Sequence, residues 1–254
     1  MIRRMEHNER EQREPEMGDG LESVNEVGYE EKKERKIIVP GEVAASGQTY
    51  LPGENTKREG KDIIATRFGL LDVEDRLVKV IPLSGTYIPR RGNVVIGKVV
   101  DITYNGWLMD IDSPSSAFLP ITEGRGFISK KDDLSLIYNY GEMVIAKVIG
   151  VKGKGVDLTT RERGFHKIEE GMILRVNSNK VPRVIGKQGS MINLIKDGTG
   201  CNIVVGQNGL IWIKGENIEA ELLAREAIQM ITNKPFIEGL TDKVKEFLEK
   251  AKKK

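Results

Sequence analysis

Apolar positions in this chain alternate in short runs up to about residue 160, then shift to helical spacing with three further strand-like runs. Lys36-Ile37-Ile38-Val39 ends at Pro40-Gly41, and Pro52-Gly53 marks another turn. The runs 61–71 and 77–83 flank a turn at Asp72 to Asp75, which predicts a hairpin of two continuous strands. Residues 36–88 therefore read as a small β unit. It is too short to bury much core alone and is expected to lean on a neighbour. Five strand signals follow over 89–165, at 93–103, 106–112, 116–121, 143–151 and 155–160. Their spacing predicts a compact five-stranded barrel, with Gly106 turning the chain before Trp107.

From residue 166 the pattern changes. Met172 to Val176 predicts a strand and Val181 to Ile185 a short helix. Then comes Gly186-Lys187-Gln188-Gly189, followed by a helix from Ser190 to Lys196 with Gly198 as its expected C-cap. Strands at 202–205 and 210–214 are joined by Gly206-Gln207-Asn208-Gly209, whose Asn-Gly pair is a strong turn signal. A helix over 218–232 carries Ile218, Leu222, Ala227 or Ile228, and Ile231 along one side. The order β-α-α-β-β-α over 166–234 is that of a type I KH domain. Val244, Phe247, Leu248 and Ala251 then predict an amphipathic helix within 235–254, ending in a lysine-rich tail. The expected fold class is multidomain α+β: a small β domain, an S1/OB-type barrel and a KH domain.

A KH domain uses its glycine loop to clamp the backbone of a single nucleic-acid strand. Gly186 and Gly189 permit a sharp, close-approaching turn, while Lys187 and Gln188 face the phosphates. Arg183 and Lys196 flank the expected groove. Ile185, Ile192 and Ile203 either line it or belong to the core. Single-strand binding also needs flat side chains for bases and cations for phosphates. The barrel offers Tyr104, Trp107 and Phe118, and the cations Lys98, Lys147, Lys152, Lys154 and Arg161. Trp107 and Phe118 fit base stacking and barrel core equally well. The polar connection from Glu123 to Gly141 adds Arg125, Lys130 and Lys131.

Charge enters with a twist. The 254 residues carry 40 basic and 38 acidic side chains, a formal +2, which looks unpromising for a nucleic-acid binder. Residues 1–35, however, hold 7 basic and 11 acidic side chains, leaving 33 against 27 in the rest. The acidic segment is expected to be a disordered tail, and the folded part is mildly basic. A single cysteine, Cys201, excludes a disulfide framework and a cysteine-based zinc site. It reads as a small core residue. The two histidines, His7 and His166, lie far apart, and Asp132-Asp133 reads as a solvated loop pair. Neither glycine motif is followed by the Lys-Ser or Lys-Thr of a Walker loop. The chain is therefore expected to bind rather than catalyse, with no metal and no cofactor. Without a long apolar run or signal-peptide core it is expected to be soluble and cytoplasmic, away from membranes.

Residues 92–99, 106–111, 117–120, 141–148 and 156–159 together resemble an S1 RNA-binding domain. An S1 barrel preceded by a small β domain and followed by one KH domain is similar to the RNA-binding cap subunits of the archaeal exosome, the Rrp-four type. The resemblance covers roughly residues 36–240, and the 206–209 turn matches a Gly-x-Asn-Gly motif of that family's KH domain. It implies a non-catalytic subunit, three copies of which cap a hexameric ring of phosphorolytic ribonuclease subunits. The N-terminal β domain would dock on the ring, and the S1 domains would surround its central pore. The KH domains would capture single-stranded RNA and favour particular 3′ ends for degradation and processing. Arg125, Lys130 and Lys131 become candidate pore-side contacts. In some members the glycine loop is degraded or buried; here it is intact and charged, so contact with RNA is expected. An S1-plus-KH elongation factor, the nearest rival, would normally carry two KH units after the barrel, and only one is readable here. A translation-related RNA binder and an independent nuclease are the remaining alternatives.

Overall fold

The computed structural model describes residues 36–126, 128, 132–153, 155–233 and 239–252. The expected acidic tail, Lys130, Lys131 and Lys154 lie outside the described residues.

The first unit contains β1 (Ile37–Ile38), β2 (Val43–Ser46), β3 (Leu51–Pro52), β4 (Thr56–Glu59), β5 (Asp62–Ala65), β6 (Gly69–Glu74) and β7 (Leu77–Pro82). These form two small sheets, ordered β1-β6-β7-β3 and β2-β5-β4. The run expected as one strand over 61–71 is thus two strands in different sheets. Ile63 and Ala65 point inward at even spacing, but Gly69 and Leu70 are buried in succession. The inward face therefore changes across Thr66 to Phe68, and the chain crosses between sheets there. The hairpin between β6 and β7 turns at Asp75-Arg76.

The barrel contains β8 (Val94–Thr103), β9 (Gly106–Asp110), β10 (Ser116–Pro120), β11 (Met143–Lys152) and β12 (Gly155–Thr159). Antiparallel pairing runs β10-β9-β8-β11, β10 pairs in parallel with β12, and β11 pairs with β12 to close the ring. Closure leaves no open edge within the five strands. A short strand, β13 (Lys167–Ile168), adds to β11 outside the closure. Val95, Val99, Trp107, Met109, Leu119 and Val144 fill the interior, as period-two alternation requires.

The last unit pairs β14 (Met172–Arg175), β15 (Asn202–Val205) and β16 (Leu210–Lys214) in the antiparallel order β14-β16-β15. Helices α1 (Val181–Ile185), α2 (Ser190–Thr199), α3 (Ile218–Asn233) and α4 (Leu240–Lys252) pack with this sheet. Val244 and Leu248 of α4 join the same buried cluster as Ile195, Ile203, Ile213 and Ala227. The C-terminal helix is therefore part of the KH core rather than an appendage. Gly198 is not the cap of α2. A Cβ on Gly198 would lie 2.7 Å from Leu248 Cδ1, so its bare backbone makes room for α4. The helix ends instead at Gly200, whose φ of 71° is left-handed and whose N–H bonds Lys196 O at 2.7 Å. Cys201 is buried in this core, as expected.

The barrel and the KH unit share a second buried cluster. Ile96 and Ile145 point out of the barrel, yet they are covered by Phe165, Leu210 and Trp212. Both faces of β8 are consequently buried over part of its length.

Candidate nucleic-acid interface

The glycine loop lies between α1 and α2. Gly186 has φ 75° and Gly189 has φ 81°. A Cβ on Gly186 would stand 2.7 Å from the Met191 N, so only glycine lets the loop fold this tightly onto α2. Gln188 also adopts a left-handed φ of 53°, unfavourable for a residue with a side chain. Held strain of this kind concentrates at binding sites. Lys187 and Gln188 are both exposed at the tip. Gly189, the N-cap of α2, offers no side-chain acceptor to the first turn, in which Ser190 N–H bonds Lys187 O instead. Arg183 is half-buried on α1, and Lys196 is half-buried six residues into α2, about 9 Å along the axis. Ile185 is half-buried beside the loop, but Ile192 and Ile203 are core.

The 206–209 turn does different work. It is pressed into the barrel, where Asn208 is buried. Its Oδ1 accepts from Ile96 N at 3.3 Å, and its Nδ2 donates to Ile96 O at 2.8 Å and Ile111 O at 3.2 Å. Gln207 N donates to Val94 O at 2.8 Å. Gly209 has φ 90°, and a Cβ there would collide with Val176 O. Arg175 adds an ion pair to Asp112 at 3.0 Å. This turn bonds the KH unit to the barrel, leaving the 186–189 loop as the exposed glycine element.

On the barrel, Trp107 is removed from the set of stacking candidates. It has no exposed surface, and its Nε1–H donates to Leu134 O at 3.2 Å and Tyr138 O at 2.9 Å. Period two decides this, because Trp107 shares its face with Met109 inside the barrel. Phe118 points the other way, half-buried and opposite Leu108. Tyr104, in the turn between β8 and β9, is 88% exposed. Tyr140, which the sequence did not single out, is exposed in the segment leading into β11, its hydroxyl 3.5 Å from Asp101 Oδ1. The signal was available, since Asn139-Tyr140-Gly141 is turn chemistry that projects an aromatic outward.

The barrel cations divide into two groups. Lys147 bonds Glu162 at 2.7 Å, Lys152 lies 3.9 Å from Asp157, and Arg161 lies 3.8 Å from Glu123. Exposed pairs of this kind are worth at most about 1 kcal/mol, so phosphates can compete for them. Lys98 and Arg125 are exposed with no ion pair among the described residues. Asp133 caps the turn at Leu134–Leu136, and its bonds from the Ser135 hydroxyl and N–H hold its carboxyl below the ordinary range. Asp133 thus has a local structural use. Among the described residues no group of three His, Cys, Asp or Glu side chains could hold a metal ion.

The family model described as the exosome RNA binding protein RRP4 N-terminal domain matches residues 35–84, and a KH domain model matches 171–219. The Methanothermus fervidus protein named exosome complex component Rrp4 is 44% identical over 218 residues, covering 85% of this chain and 96% of that one. The chain belongs to the Rrp4 family. A second family member of that name, from Nitrosopumilus maritimus, is 38% identical across 85% of this chain and 96% of its own. A solved structure described as an exosome complex RNA-binding protein superposes with a TM-score of 0.60 at 32% identity. It covers 66% of this chain and 98% of its own length. Within this Rrp4-family chain the three-part architecture is the one described above, and no helix among the described residues is long and apolar enough to cross a membrane.

Proposed function

We propose that this chain is the non-catalytic RNA-binding subunit of an exosome, capping a ring of phosphorolytic ribonuclease subunits and delivering single-stranded RNA 3′ ends to the central pore. The observation that carries this reading is the exposed glycine loop with Lys187, on a KH unit bonded through Asn208 to an S1-type barrel, in a chain of the Rrp4 family. The division into 36–88, 89–165 and 166–234 assigns ring docking, pore lining and RNA capture in that order. Ile37, Val39, Leu51 and Leu77 support the docking role, since they leave apolar surface exposed on the first unit. Tyr104, Phe118, Lys98 and Arg125 are the proposed barrel contacts, with Lys130, Lys131 and Lys154 as further cations and Lys147, Lys152 and Arg161 exchanging their partners for phosphate. Other copies of the chain would complete a trimeric cap working in the cytoplasm.

Reconstitution with phosphorolytic ring subunits tests the reading. The chain alone should leave RNA intact, bind the ring, and accelerate degradation of a single-stranded substrate. Failure to bind the ring would refute the proposed role. The loop is tested by the double change Lys187→Asp and Gln188→Asp. It places two negative charges against phosphate, and affinity for single-stranded RNA should fall about 30-fold at low salt. Both side chains are exposed, so the melting temperature should move by less than about 2 °C. Unchanged RNA affinity would remove the loop from the binding surface.

A further inference from the structure

A cavity of about 500 Å³ opens where the first unit, the segment 86–93 and the KH glycine loop meet. That volume lies within the range of roughly 300–1,000 Å³ common for small-ligand sites. Pro182 and Ile185, next to Gly186, form one wall; Ile81, Tyr87 and Ile88 contribute apolar surface from the other units. The Tyr87 hydroxyl donates to Asn93 Oδ1 at 2.9 Å, which fixes the ring. Burial pushes this phenol far above its ordinary range, so it stays protonated.

Two polar groups at the cavity lack partners. Arg67 is half-buried and has no hydrogen bond or ion pair among the described residues. A guanidinium in that position ordinarily takes a carboxylate or a phosphate. Gln207 also lines the cavity, and its Oε1 is buried without a hydrogen-bond partner. An acceptor left unsatisfied in this way is costly, and a ligand donor would recover that cost. Arg90 adds a second cation, held by an exposed pair to Glu54 at 3.1 Å.

We infer that this cavity receives one nucleotide of the RNA strand held by the glycine loop. The base would lie between the Ile185 and Tyr87 walls with a ring N–H or amino group on Gln207 Oε1, and its phosphate would meet Arg67. Contiguity favours an RNA nucleotide over a free metabolite, because Gly186 belongs both to the cavity wall and to the loop that meets phosphate. The inference rests on the RNA-binding reading above. It adds the first unit to the RNA-contacting surface, so the three units would read the strand together.

The test uses the full chain and a short single-stranded RNA carrying 4-thiouridine, with photo-crosslinks mapped by mass spectrometry and affinity read by fluorescence anisotropy. Crosslinks within 81–90 and 181–186 are expected. Arg67→Glu should lower affinity about tenfold, the size of one charge-assisted contact, and Arg67→Lys should retain most of it. Ile88→Trp, at an exposed position on the rim, should block the same crosslinks without changing charge. Parental affinity in both Arg67→Glu and Ile88→Trp, with crosslinks confined to 187–189 and the barrel, would overturn the cavity assignment and leave the RNA-binding reading intact. No RNA binding by the parent chain would overturn both.

Discussion

Trp107→Ala should lower unfolding stability by about 4 kcal/mol, a fall of roughly 10 °C in melting temperature. The indole is wholly buried in the barrel, with the Tyr138 ring edge-on to it at 5.0 Å. Its removal costs the transfer of a large apolar surface and leaves a cavity. It also strips the donor from Leu134 O and Tyr138 O, which tie the long connection after β10 down onto the barrel. Trp107→Phe separates the two contributions. The smaller ring keeps most of the apolar burial but loses the N–H, so about 1–3 kcal/mol should be lost. Thermal unfolding followed by circular dichroism reads both. A melting temperature within about 2 °C of the parent, with RNA affinity reduced, would mean that Trp107 stacks on bases after all.

That residue also shows how far the sequence could be read. Barrel strands announce themselves by alternation, and alternation alone places Trp107 with Met109 on one face. Phe118 sits out of phase with Ala117 and Leu119, so it faces the opposite way. The face was legible, and which face was wet followed from the closed ring of strands. The continuous run at 61–71 misled because both of its halves are apolar; the crossing between sheets depends on pairing partners, not on the run itself. Gly198 misled for a related reason. A glycine near a helix end resembles a cap, but this one answers to Leu248, fifty residues on in the chain. Arg67, Tyr87 and Arg90 carry no local motif. Only the meeting of three units brings them to the glycine loop.

The 206–209 turn gives the second large effect. Asn-Gly predicts a hairpin turn, but nothing local reveals that Asn208 bonds a strand 112 residues away. Asn208→Ala removes all three of its bonds and leaves the Ile96 N–H and C=O and the Ile111 C=O without this partner. The expected loss is about 3 kcal/mol, or roughly 6–10 °C, with barrel and KH unfolding no longer as one transition. Asn208→Asp should be at least as damaging at neutral pH. Its carboxylate can still accept from Ile96 N, but it would face two carbonyl oxygens instead of donating to them. Burial and those oxygens would raise its pKa in the folded state above the unfolded value. The folded variant would then bind the extra proton, so its loss of stability relative to the parent should be smallest at low pH and grow as pH rises above about 4. A single cooperative transition in Asn208→Ala, at the parent's midpoint, would mean that the Ile96–Trp212 cluster holds the two units together without the turn. The consequence reaches function, because a KH unit free to swing would no longer present its glycine loop at a fixed distance from the barrel. RNA affinity in Asn208→Ala should then fall even though no RNA-contacting side chain has changed.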